Sequence, residues 1–239
     1  MVLRVLLSAA ARFRPESLLV LESRFDGLAE VLAGAPADLP VYVAGREVFN
    51  AVAGFNVHRG ILAVGRRMAL PSPADLVAAL PARAVVVVLI GLSNHDNMGA
   101  IFRNAAALGA DAILVDGRCC DPLYRKAIRV SVGAVLTVPY AQPADPDALA
   151  AALHAGGFRQ FALSPLGSLD IRRAARGERT ALYLGSEGEG LPADLLATLT
   201  TLRIPMAEGF DSLNVAAATA IALHRLGHAA SVEGQADSL

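Results

Sequence analysis

The sequence predicts an α/β protein, in which a parallel sheet carries helices on both faces and a smaller α/β module precedes it. Three observations lead there. The run Val85-Val86-Val87-Val88-Leu89-Ile90 is apolar and mostly β-branched, as in a strand covered on both faces. Apolar strand-like runs then alternate with segments of helical periodicity to the end of the chain, which is the pattern of a parallel sheet. Prolines at Pro71, Pro73 and Pro81 punctuate the chain ahead of this pattern and suit a joint between two regions.

Taken in order, Leu18 to Glu22 is a short apolar run. Phe25, Leu28, Ala29 and Leu32 fall at helical spacing over Arg24 to Ala33. Pro40 to Ala44 is rich in β-formers, Glu47 to Ala53 reads as a turn or two of helix, and Gly60 to Val64 as a strand. After the joint, whose residues Asp75 to Leu80 can form a short helix, the strand 85–90 leads into a helix over Met98 to Leu108, stopped by Gly109. Strands at 112–115, 135–138, 160–163, 181–184 and 202–205 follow. They are separated by helices at 122–130, 146–154 and 192–199, and a long helix over 212–226 ends the series. The expected divisions are a module over 1–74, a linker over 75–83, a larger domain over 84–230 and a flexible tail over 231–239.

The 239 residues are 54% hydrophobic and 18% charged, which excludes intrinsic disorder. The net charge of −1 provides no global field for a polyanion, so contacts to nucleic acid would have to be local. Among the 21 basic residues only Lys126 is lysine, and arginine's planar fork suits phosphate oxygens. Cys119 and Cys120 are adjacent, which fits neither a zinc site nor a C-x-x-C motif, and they read as free thiols of a cytoplasmic protein. The apolar run after Met1 is short and soon meets Arg12 and Arg14, unlike a cleaved leader. The longest apolar stretch, 84–92, is too short to span a bilayer as a helix.

Ligands of open parallel sheets bind at the carboxyl ends of strands. Three such ends carry unusual sequences. In Gly91 to Asn104, a polar loop opens a helix with Asn97 at an expected N-cap and Arg103 in the second turn. In Leu184 to Pro192, Gly185, Gly188 and Gly190 permit close backbone approach to a ligand, while Glu187 and Glu189 disfavour a polyphosphate and suit a cation such as a sulfonium. This is neither a P-loop nor G-x-G-x-x-G. In Ile204 to Val215, Ser212 is placed to cap the final helix, with Asn214 in its first turn. Each segment alone also reads as an ordinary capped helix or turn. Ser93, His95 and Asp96 lie too close together for a hydrolase triad. His224 and His228 sit four apart without a third ligand at motif spacing, so no metal is expected.

In this order the three segments resemble the motifs of the SpoU-type (TrmH-like) RNA 2′-O-methyltransferases of the SPOUT superfamily. Asn97-Met98-Gly99-Ala100-Ile101-Phe102-Arg103 is similar to the family's N-x-G-A-x-x-R, Leu184 to Leu191 to its L-G-x-E-G-x-G-L, and Ile204 to Val215 to its I-P-M…S-L-N-V. Tyr124 to Ala134 resembles the segment after the family's second strand. A departure is His95, where many members have proline. More loosely, Val48 to Val52 and His58 to Ala63 resemble a ribosomal-protein-L30e-like substrate-binding domain.

The resemblance implies a trefoil knot in the larger domain. It implies S-adenosylmethionine held by Thr137, Val138, Leu184, Gly185, Glu187, Gly188, Ile204, Met206, Ser212 and Leu213, and a homodimer packed through the knot region and the final helix. It implies methylation of a ribose 2′-hydroxyl in rRNA or tRNA, with Arg103, Asn97, Glu187, Ser212 and Asn214 forming the reaction site. The alternatives are a non-catalytic RNA-binding or ribosome-assembly protein on the same fold, and a knotted base methyltransferase.

Overall fold

A strand that must be buried on both faces needs a partner on each edge and a helix layer above and below, and the run starting at Ala84 receives all four. The computed structural model describes residues 1–54, 56, 59–175, 177–186 and 188–227. The chain divides into two units, Met1–Ala69 and Leu70–Leu239.

The first unit contains α1 (Val2–Leu6), β1 (Arg14–Leu21), α2 (Glu22–Phe25), α3 (Ala29–Leu32), β2 (Val41–Ala44), α4 (Arg46–Ala53) and β3 (Ile61–Arg66). Its sheet has the order β2-β1-β3, with β1 parallel to β2 and antiparallel to β3. Leu18, Val20 and Leu28 form one buried cluster of its core, and Phe49 of α4 is buried as well. The helix expected over 24–33 is broken. Asp26–Leu28 is a 3₁₀ turn between α2 and α3, and Gly27 within it removes the propensity that a continuous helix would need.

The second unit contains α5 (Pro73–Ala78), β4 (Ala84–Leu89), α6 (His95–Leu108), β5 (Ala112–Val115), α7 (Arg125–Val130), α8 (Pro146–Ala155), β6 (Arg159–Leu163), β7 (Leu169–Asp170), β8 (Arg179–Leu184), α9 (Ala193–Thr198), β9 (Thr200–Arg203) and α10 (Val215–Leu226). Its six strands run in the order β5-β4-β8-β6-β9-β7, every pair parallel. Every residue of β4 is buried, at roughly 1.5–3 kcal/mol for each valine or leucine side chain. Ala84, Val86 and Val88 share a core with Leu76 and Val77 of α5 and Leu149 and Leu153 of α8. Alternation turns Val85, Val87 and Leu89 to the opposite face, where α10 packs against α6 and β8, and α6 against β5 and α7.

Two expectations change here. Residues 135–138 are not a strand: Ala134–Leu136 is a 3₁₀ turn. Ser131 Oγ accepts from the N–H groups of Gly133 and Val135, and Gly133 turns the chain at φ +95°, so local bonds satisfy the backbone that a ladder would have used. The chain reaches the sheet further on, through a parallel bridge from Tyr140 to Ile113 and a second from Ala144 to Asp116 at the end of β5. The segment read as a linker over 75–83 contains most of α5, which is capped by Ser72 and whose Leu76 and Val77 belong to the second unit's core. Residues 231–239, expected to form a tail, lie outside the described residues.

Candidate functional site

All six strands of the second unit are parallel, so their carboxyl ends share one edge, and the loops leaving β4, β6, β8 and β9 emerge there. A cleft of about 550 Å³ opens at that edge, within the size range of small-molecule sites. The loop after β6 contributes Leu163 to Leu166, the loop after β8 Leu184 to Ser186 and Gly188 to Leu191, and the loop after β9 Ile204, Met206 and Asp211 to Leu213. Glycine is required at Gly185, because a Cβ there would run into the Gly190 backbone. Ser186 and Gly190 pair as an antiparallel bridge across this tight return, with Gly190 at φ +70°. The cleft walls are mainly aliphatic, and among the described residues its titratable lining groups are Glu189 and Asp211, both exposed.

Of the residues expected to hold a cofactor, Leu184, Gly185, Gly188, Ile204, Met206, Ser212 and Leu213 line this cleft together. Thr137 and Val138 do not. Thr137 Oγ1 donates to the Ala134 carbonyl and Val138 is buried, both in the turn that replaces the expected strand. Glu187 lies outside the described residues. The sequence reading passed over the loop Ser164-Pro165-Leu166-Gly167. It too follows a parallel strand directly, so the rule that singled out three strand ends applies equally to this fourth one.

The polar residues expected at the reaction site separate into a pair and an outlier. Asn97 is not the N-cap of α6: Asn94 is, its Oδ1 accepting from the N–H groups of Asp96 at 2.8 Å and Asn97 at 3.3 Å. The shift of one turn buries Asn97. Its Oδ1 accepts from Asn214 Nδ2 at 2.9 Å. Nor does Ser212 cap α10. Asn214 does, its Oδ1 accepting from the N–H groups of Ala216 and Ala217, while Ser212 lies in the loop beside Asp211. Asn214 therefore bridges the start of α10 to the start of α6. Asn104 Nδ2 adds a second tie, donating to the Ala216 carbonyl at 2.7 Å.

Arg103 is exposed, does not line the cleft, and makes no hydrogen bond or ion pair with any described residue. It lies six residues beyond Asn97, roughly 9 Å along the helix at 1.5 Å per residue. Gly99 lets α7 approach α6, since a Cβ there would lie 2.6 Å from the Ala127 carbonyl oxygen and 2.8 Å from Val130 Cβ. The starts of the two helices are joined further by His95 packed on Tyr124 and by a 2.6 Å ion pair between Lys126 and Asp96. Exposed Arg125 and Arg129 lie on α7, so this side of the unit carries several cations. His224 occupies the last turn of α10, and His228 lies outside the described residues.

Residues 84–224 match the model of the SpoU rRNA Methylase family. An uncharacterized tRNA/rRNA methyltransferase of Mycobacterium bovis is 44% identical over 227 residues, covering 92% of this chain and 77% of that protein. A 23S rRNA (guanosine-2′-O-)-methyltransferase of Ralstonia nicotianae is 29% identical over 193 residues, covering 80% of this chain and 78% of that protein. Among solved structures, an AdoMet-bound rRNA methyltransferase from Sinorhizobium meliloti superposes with a TM-score of 0.77 at 24% identity. That superposition covers 94% of this chain and 84% of that one, a likeness of fold.

Proposed function

The chain belongs to the SpoU rRNA Methylase family and is an RNA methyltransferase, and from that premise we propose that it methylates a ribose 2′-hydroxyl of rRNA or tRNA with S-adenosylmethionine as donor. The observation that carries this reading is the joining of Asn97 and Asn214 by a hydrogen bond directly beside Ser212 and Leu213 of the cleft. The cleft fits the donor on its own terms. Its volume suits a nucleoside-sized ligand, its aliphatic walls suit a purine and a methionine chain, and its glycines allow backbone N–H and C=O groups to reach polar edges. Glu189 and Asp211 at its lining favour a cation.

S-Adenosylmethionine, when bound, supplies an electrophilic methyl group. The chain must then present a ribose oxygen to it and stabilise the negative charge that develops as the hydroxyl proton leaves to solvent. Arg103 is the group for this task. A guanidinium is not deprotonated in proteins, so it acts as a donor fork to phosphate and to the developing alkoxide and not as a base. Asn97 and Asn214 fix the start of α6 against the cleft loops and so set where Arg103 stands. Ser212, at the cleft wall, orients the ribose, and Glu187 is assigned to cofactor and ribose positioning by its place in the glycine-rich loop.

Arg103 stands on a helix flank away from the cleft lining, so a second copy of the chain is part of this reading. Exposed Phe210 and Leu213 on the loop before α10, and Ile221 on α10, provide apolar surface for a homodimer through that region. Family membership supports a trefoil knot among the loops at this edge. The α/β makeup of the first unit supports an L30e-like role in selecting RNA. Arg103→Ala should abolish methyl transfer while S-adenosylmethionine affinity, read by calorimetry, stays within about twofold, and Arg103→Lys should fail to restore transfer because it lacks the bidentate fork. Equal loss of cofactor binding in Arg103→Ala would remove Arg103 from the role assigned here.

A further inference from the structure

The end of β5 carries a second polar cluster that the site above does not use. Asp116 follows the strand directly and is 1% exposed. A carboxylate this deeply buried needs donors to offset its lost hydration, and it has three. Its Oδ1 accepts from the backbone N–H of Gly91 at 3.0 Å and of Arg118 at 3.1 Å, and its Oδ2 accepts from Arg118 Nε at 3.0 Å. Gly91, at φ +65°, is the residue at which the chain leaves β4 toward Asn94 and α6. Asp116 thus ties together the exit of β4 and the side chain of Arg118.

Arg118 itself is 58% exposed along its side chain. Only its Nε is used. The Nη end rests over Gly91, where a Cβ would lie 3.9 Å from Nη2, and forms no further bond with any described residue. The result is a guanidinium locked at its inner edge by a buried carboxylate, with its outer donors facing solvent. It stands at the same sheet edge as the cleft but is not among the residues lining it. Pre-orientation of this kind reduces the entropy lost when a bidentate contact forms.

Resting on the reading of the chain as an RNA methyltransferase, we infer that Arg118, with Asp116 as its positioning residue, binds a backbone phosphate of the RNA substrate beside the β4 exit. The ligand is a phosphodiester and not the carboxylate of the cofactor, because Arg118 lies outside the cleft lining. Phosphate contacts fix register on a nucleic acid without reading its sequence, and each contributes to the salt dependence of binding.

The test uses the full chain and a mixed-sequence single-stranded RNA, titrated at several salt concentrations, for the native protein, Arg118→Ala and Arg118→Gln. Glutamine keeps a donor for Asp116 and removes the charge with the outer Nη donors, so it guards against an Arg118→Ala variant that folds poorly. Arg83→Ala, exposed at the opposite edge where the chain enters β4, is the control. Both Arg118 variants should bind RNA about tenfold more weakly and lower the slope of log K against log salt by about 0.7. S-Adenosylmethionine affinity should not change, and Arg83→Ala should leave the slope intact. An unchanged slope in Arg118→Gln overturns the inference, as does an equal change in Arg83→Ala or a loss of cofactor affinity instead of RNA affinity. Native protein that binds no RNA would remove the methyltransferase reading, and this inference with it.

Discussion

Asn214 serves two helices with one amide. Its oxygen caps α10 and its nitrogen donates to Asn97, whose burial depends on Asn94 having taken the cap of α6. The sequence made these residues stand out but exchanged their tasks, because Ser, Asn and Asp all cap helices and three or four of them lie within four positions of each helix start. Which one caps depends on where the preceding strand delivers the chain, and a local pattern does not contain that. The two tasks separate by substitution. Asn214→Ala should destabilise the protein by about 1–2 kcal/mol in a denaturant titration, through the lost cap and the buried amide oxygen of Asn97 left without its donor. Asn214→Ser should recover part of that stability, because serine also caps. It should remain impaired in methyl transfer, because its hydroxyl is too short to replace the Nδ2 bond to Asn97. Full activity in Asn214→Ser would show that the bridge to Asn97 is dispensable.

Among the elements, the strands were the most legible. The bounds of β5 were read correctly, and β4, β6, β8 and β9 were read to within a residue or two, because a fully covered parallel strand needs a continuous apolar run. The same rule misled at 135–138, where an equally apolar run is buried as a 3₁₀ turn fixed by Ser131 and Gly133. Apolarity reports burial and not the partner. The loop after β5 was the least legible, since Asp116 and Cys119 gain their meaning only from contacts to Gly91, Leu92 and Leu89. Cys119 Sγ lies 3.3 Å from the Leu92 N–H, which it accepts, and 3.4 Å from the Leu89 carbonyl, to which it donates. Burial pushes its thiol from 9.0 up to about 12, with the nearby Asp116 carboxylate adding to the effect. The folded state therefore keeps this thiol neutral in a pH range where the unfolded chain ionises. The stability it contributes should be complete below about pH 9 and decline as the pH rises toward 12. Thermal melts of the native protein and Cys119→Ser between pH 8 and 11 measure this, and the native protein should lose stability more steeply. Parallel curves would contradict the assigned environment of Cys119.

For the whole molecule, the proline-rich joint marked the change from one unit to the next but not its position. Proline at Pro73 starts α5 instead of ending structure, as suits a first helical turn, and the division falls between Ala69 and Leu70. A protein beginning at Ala82 would lose Leu76 and Val77 from the core over β4 and expose its face. A protein beginning at Leu70 should fold cooperatively and bind S-adenosylmethionine as the full chain does, yet methylate RNA poorly if residues 1–69 select the substrate, as proposed. Methylation at the full-length rate by that shortened protein would place RNA selection in the second unit. Alkaline hydrolysis decides directly whether methyl goes to a ribose oxygen, because a methylated 2′-oxygen cannot attack the adjacent phosphodiester. RNA incubated with the protein and S-adenosylmethionine carrying a labelled methyl group should yield the label in an alkali-resistant dinucleotide, and Arg103→Ala should yield none. Label released in ordinary mononucleotides would mean base methylation and would contradict the account.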